Sequence, residues 1–168
     1  GHNMIKMDAL KKMLENMGFQ NVETYIQSGN VFVDSEEENA ASVGFKIKQE
    51  IFREFGHDVP VVAIGKEDLE LCFKNNPYLK EKDCDTKKLY VAFISKELSS
   101  LALNDLKISN FKPDEAAIDS SRIYVKYAVG AGKTKLDQKY IEKKLNAVAT
   151  MRNWNTVTKL LEMYTEKL

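Results

Sequence analysis

Hydrophobic periodicity constrains this chain more than any other feature. It switches between two residues and 3.6 residues in a fixed order, and it does so twice. In the second half, 89–94 reads as a strand and 98–106 as a weaker helix. Two alternating stretches, 115–119 and 122–128, flank Ser120-Ser121 as a hairpin. A helix over 135–145 follows, with Tyr140, Ile141 and Leu145 inward, then a short strand at 148–150. Val157, Leu160, Leu161, Tyr164 and Leu168 give the last helix an apolar stripe.

The first half repeats this rhythm without its opening strand. Leu10, Met13, Leu14 and Met17 predict a helix that stops at Gly18. Residues 22–27 and 31–33 predict a hairpin around Ser28-Gly29-Asn30. Val43, Ile47, Ile51, Phe52 and Phe55 predict the inner face of a second helix ended by Gly56, and 59–64 predicts a third strand. The order β-α-β-β-α-β-α in the second half, against α-β-β-α-β in the first, points to an α+β protein. The expected architecture is two ferredoxin-like (βαββαβ) subdomains packed as one compact unit. They span 1–65 and 89–168, with 66–88 as a connecting helix and loop. The first subdomain lacks its N-terminal strand in this chain. That strand would be central in its sheet, so an extra N-terminal segment or a strand from elsewhere is expected to fill the slot.

Several blocks then stand out in order along the chain. They are Gly1-His2-Asn3 with Ile5-Lys6-Met7, Tyr25-Ile26-Gln27-Ser28-Gly29-Asn30-Val31, and Asn76-Pro77. They continue with Tyr124-Val125-Lys126-Tyr127 and with Thr150-Met151-Arg152-Asn153-Trp154-Asn155-Thr156-Val157. Together they resemble the bacterial domain of unknown function 1697 (DUF1697) across the whole chain. The resemblance implies one more strand at the start, ending in an Arg-Gly-Ile-Asn-Val-Gly segment that this sequence lacks. It implies a fold and no activity.

Charge and composition exclude some function classes. The chain of 168 residues is 43% hydrophobic and 30% charged, within the range of globular domains. No apolar run approaches the roughly 20 residues of a membrane helix; the longest, 59–64, contains Pro60. Cys72 and Cys84 with only two histidines do not make a zinc site of ordinary spacing. They read as free thiols, and the cytoplasm is the expected compartment. Glu36-Glu37-Glu38 reads as a solvated loop, and no metal or cofactor is expected. The net charge is zero but uneven: ten basic against four acidic residues from Arg122 onward, and fifteen against twenty-one before it. A basic C-terminal third can attract an anion.

Polar residues gather at the ends of the predicted elements, where binding groups concentrate. His2, Asn3 and Lys6 lie about the start of the first helix, and Gln27, Ser28 and Asn30 at a hairpin tip. Arg152, Asn153 and Trp154 precede the last helix. Arg152 can clamp a carboxylate or phosphate and Trp154 can stack, beside the positive end of a helix. Capping, turn formation and core packing are the alternatives for Asn153, Asn155, Gly29 and Trp154. Gly130-Ala131-Gly132-Lys133-Thr134 resembles only the end of a phosphate-binding loop, because Tyr127 stands where the full motif needs glycine. Lys133 and Lys135 remain possible phosphate contacts.

The leading expectation is a binding module for a small anionic or nucleotide-like ligand. An enzyme of unknown reaction at the same loops is one alternative. Nucleic-acid binding through the basic C-terminal third is another, with Tyr124 or Tyr127 as a stacking ring. No membrane partner is expected, and oligomeric state stays open.

Overall fold

The computed structural model describes residues 5–25 and 29–166. The fold is α+β, with two sheets and six α-helices among those residues. The chain divides into two units, Gly1–Ala63 and Ile64–Leu168. Residues 64–88 fall within the second unit.

In the first unit, α1 (Met7–Asn16) leads into β1 (Gln20–Thr24), β2 (Val31–Asp34) and α2 (Ala40–Phe55). The strands pair antiparallel, with a register shift between Gln20 and Glu23. Asn21 takes a positive φ there, and its amide donates to Asp34 Oδ2 at 2.6 Å. Met13, Leu14, Val22 and Ile51 form the buried centre. Asn39 caps α2 by accepting from Ser42 N–H, and Gly56 ends it with a φ of 74°, a conformation that favours glycine.

Two expectations for this unit need correction. Phe52 does not lie on the inner face of α2; it is 61% exposed, as is Phe45. Val43, Ile47, Ile51 and Phe55 follow a spacing of four and make the packed stripe. Phe52, one residue past Ile51, is turned about 100° away from it. Residues 59–64 are not a paired strand either. Val59 and Val61 do pack on the core at the alternating spacing, so the periodicity was legible. A strand also needs ladder hydrogen bonds, which periodicity does not specify, and Pro60 has no N–H to donate.

The second unit opens with α3 (Lys66–Asn75) and reaches β3 (Leu89–Ile94) through two short 3-10 turns. Then come α4 (Ala102–Asp105), β4 (Glu115–Asp119), β5 (Arg122–Lys126), α5 (Gln138–Leu145), β6 (Ala149–Asn153) and α6 (Trp154–Glu166). The strands lie in the order β4-β5-β3-β6, and every pairing is antiparallel. Ala92, Ile94, Ile123, Val125 and Ala149 pack with Ala102 of α4, with Leu106 just after it, and with Ile141 and Leu145 of α5. The alternate residues Val91, Phe93 and Tyr124 are buried too, as are Leu69 and Cys72 of α3 and Trp154 and Val157 of α6. Helix α6 contacts both β3 and α3. Central β3 is therefore covered on both faces, which is why Leu89–Ile94 is a continuous apolar run. Each fully buried aliphatic side chain here contributes roughly 1.5–3 kcal/mol.

Three element boundaries differ from the periodic reading. The helix expected over 98–106 contracts to Ala102–Asp105; Leu101 is 61% exposed while Ala102 and Leu106 are buried. Helix α5 starts at Gln138 rather than 135, because Asp137 caps it by accepting from Tyr140 N–H. Strand β6 runs on to Asn153 instead of ending at 150, because β3 offers a pairing partner along that length.

Candidate functional site

Residues 150–153 form an edge strand, not a loop, and this sets what Arg152 can do. Arg152 stands opposite Val91 in the β3–β6 register. Its Nη1 donates to the Met151 carbonyl at 3.0 Å. Burial pushes its guanidinium below the ordinary arginine range, because removing hydration penalises the charged form. Asn153 Oδ1 accepts from Thr156 N–H at 2.8 Å, the geometry of a helix N-cap. Trp154 is buried, with its ring 4.6 Å from that of Phe73. The expected stacking face is thus spent on the core. The segment that opens the last helix divides its labour: Arg152 carries charge, Asn153 caps, Trp154 packs.

The glycine-rich turn is a tied-down loop. Gly130 has a φ of 139°, and a short 3-10 turn covers Ala131–Lys133. Asp114 braces the segment: it accepts from Ala128 N–H at 2.8 Å and from Thr134 Oγ1 at 3.1 Å. A carboxylate in that position works against a phosphate cradle. Lys135 is exposed beyond it, and the Lys133 side chain lies outside the described residues.

In the first unit, Lys6 is exposed at the N-terminal boundary of α1. Asn30 is half-buried in the hairpin turn, where its carbonyl accepts from Tyr25 N–H at 3.0 Å. His2, Asn3, Gln27 and Ser28 lie outside the described residues. Tyr124 and Tyr127 are both buried, on opposite faces of the four-stranded sheet. Neither presents a ring to a nucleic-acid base, so the stacking surface expected of one of them is absent.

A polar network escaped the sequence reading. Arg122 is 4% exposed and donates Nε and Nη2 to Asp119 Oδ2 at 3.3 and 2.8 Å. Tyr124 Oη and Asn75 Nδ2 each donate to the same oxygen at 3.0 Å. Burial alone would raise the Asp119 carboxyl, but these hydrogen bonds and the arginine charge hold it below its ordinary value. Burial also opposes the Arg122 charge, and the bond to Asp119 leads the causes that raise it. Cys72 faces this cluster. Burial pushes its thiol up to about 12, so it stays protonated and inert as a nucleophile. One sequence signal did exist: Asp119 and Arg122 bracket the two-residue turn Ser120-Ser121, and the hairpin register sets them opposite each other. Among the described residues, no group of three or more His, Cys, Asp or Glu is placed to hold a metal ion. No helix there is long and apolar enough to cross a membrane.

Comparison with known proteins adds fold and family. The family described as protein of unknown function (DUF1697) matches residues 1–124. No curated protein matches the chain. Among solved structures, conserved bacterial protein SP0830 from Streptococcus pneumoniae superposes with a TM-score of 0.70 at 22% identity. The match covers 97% of this chain and 91% of that one, a likeness of fold.

Proposed function

Because this chain belongs to the DUF1697 family, which carries no assigned activity, we propose a function from its own side chains. The second unit binds a small anionic or nucleotide-like ligand, with Arg152 as the anchor. One observation carries this reading: Arg152 stands half-buried in edge strand β6, two residues before α6, where burial removes part of its hydration. A guanidinium partly stripped of water gains more from an incoming carboxylate or phosphate than a solvated lysine does, and its two-pronged geometry selects planar anions. The N-terminal end of α6 begins two residues later and adds a favourable dipole. Lys133 and Lys135 are secondary contacts on this reading. His2, Asn3, Lys6, Gln27, Ser28 and Asn30 are further candidates by their own chemistry. The same reading takes both units as ferredoxin-like, a view that the β4-β5-β3-β6 order of the second unit supports. A cytoplasmic setting suits the two free cysteines.

The test is a thermal-shift series with inorganic phosphate, nucleoside phosphates and dicarboxylates. A ligand at 100 times its Kd stabilises the native state by about 2.7 kcal/mol, a readily measured shift. Arg152→Ala should abolish the shift, and Arg152→Lys should weaken it. If no anion raises the melting temperature, or if Arg152→Ala keeps the full response, the reading fails.

A further inference from the structure

The two edges of the four-stranded sheet are β4 and β6, and they are guarded in different ways. An open edge strand offers a row of unpaired N–H and C=O groups to any passing strand. Pairing β4 with a second β4, antiparallel about Ala117, would set Glu115 against Asp119 at both ends, and like charges opposite one another repel. Strand β6, Ala149–Asn153, has no carboxylate with which to repel a copy of itself.

The hydrogen-bond parity of β6 identifies its outward groups. Ser95 N–H donates to the Val148 carbonyl at 2.9 Å, just beyond the ladder in which Phe93 faces Thr150 and Val91 faces Arg152. Antiparallel pairs alternate, so Thr150 and Arg152 bond to β3, while Ala149 and Met151 turn their backbone groups outward. Three of those four outward groups are occupied. Ala149 N–H donates to Glu142 Oε2 at 3.1 Å and Met151 N–H to Gln138 Oε1 at 3.0 Å. The Met151 carbonyl accepts from Arg152 Nη1 at 3.0 Å. Gln138 and Glu142 lie four apart on α5, one above the other on the same helix face. They meet the edge two residues apart, in step with its outward N–H groups.

We propose that Gln138 and Glu142 of α5 seal the outer edge of β6, and that without them this edge pairs with β6 of a second copy of the chain. Antiparallel pairing about Met151 sets Ala149 opposite Asn153 and Thr150 opposite Arg152, which brings no like charges together. The seal takes the place of the charge repulsion that protects β4. Neither sealing residue belongs to the candidate site at Arg152.

Residue-resolved amide exchange and light scattering on the full chain test both halves of the proposal. In Gln138→Ala/Glu142→Ala, held dilute enough to be monomeric, exchange at Ala149 and Met151 should accelerate by roughly tenfold, the change expected for one lost hydrogen bond. Thr150 and Arg152, bonded to β3, should keep their protection. A dimer should appear as concentration rises. Gln138→Glu and Glu142→Gln retain an acceptor oxygen and should keep the wild-type exchange pattern and mass. The two single alanine variants each read one amide, should the double variant fold poorly. Unchanged exchange at Ala149 and Met151 overturns the seal. Faster exchange in a variant that stays monomeric at every concentration overturns the self-pairing.

Discussion

Removing Asp119 should unfold the second unit far more readily than the loss of one partly exposed carboxylate suggests. The reason is Arg122, whose side chain is only 5% exposed and whose Nε and Nη2 both end on Asp119 Oδ2. Breaking a buried ion pair by deleting one partner costs about 3–5 kcal/mol, because the remaining charge stays buried without compensation. Two features place Asp119→Ala near the lower end. The Asp119 side chain is 26% exposed, and Asp68 Oδ1 still lies 3.6 Å from Arg122 Nη1. The expected loss is therefore about 3 kcal/mol, a large share of the roughly 5–15 kcal/mol that holds a domain together. Trp154, the single tryptophan, is buried in this unit, so its fluorescence during urea denaturation reports the relevant transition. With a slope of about 2 kcal/mol/M, the midpoint should fall by about 1.5 M. Replacing both partners, as in Asp119→Ala/Arg122→Met, should recover much of the loss by removing the stranded charge. The effect also has a pH signature. The folded-state pKa of Asp119 is depressed, so its stabilisation is complete above the unfolded value of about 4 and disappears as pH falls through the folded value. Asp119→Ala should lack that component of acid sensitivity. A loss below about 1 kcal/mol, or a double variant no more stable than Asp119→Ala, would refute the claim that Arg122 depends on this carboxylate.

Further outcomes follow from packing and capping. A thiol reagent at mild alkaline pH should modify half-buried Cys84 first, whereas Cys72, fully buried with its thiol pushed up to about 12, should react only on unfolding. Equal rates for both in the native protein would contradict the burial of Cys72. Leu106→Ala removes a fully buried side chain from the core of the second unit and should cost about 2–5 kcal/mol in a denaturant melt. Asn153→Ala should lose about 1 kcal/mol of stability while Asn153→Asp retains most of it, since either acceptor can cap Thr156 N–H. A ligand response that disappears in Asn153→Asp with stability intact would instead mark Asn153 as a binding residue.

What the chain specified by itself was local. The apolar run of β3, the stripe Val43-Ile47-Ile51-Phe55, and the alternation on either side of Ser120-Ser121 all recur within one element, so each was legible before any contact was known. Only the tertiary structure decided what depends on distant partners. Strand β6 extends through Arg152 because β3 pairs with it residue for residue, and this turned an expected loop into an edge strand. Val59 and Val61 pack on the core at strand spacing, yet 59–64 lacks the ladder that defines a strand. Phe52 sits on an apolar-looking helix yet faces outward, since its angular position, not its hydrophobicity, sets its side. Arg122 is buried because β5 is covered on both faces, and Asp119, the acceptor of its guanidinium, also accepts from Tyr124 and from Asn75 of a distant helix. Trp154 went to the core because α6 packs against α3, whereas the Asn153 cap is local, to Thr156 three residues on. Periodicity is written in neighbouring residues, whereas burial of a charge, closure of an edge and the availability of a ring are set by groups far apart in the chain.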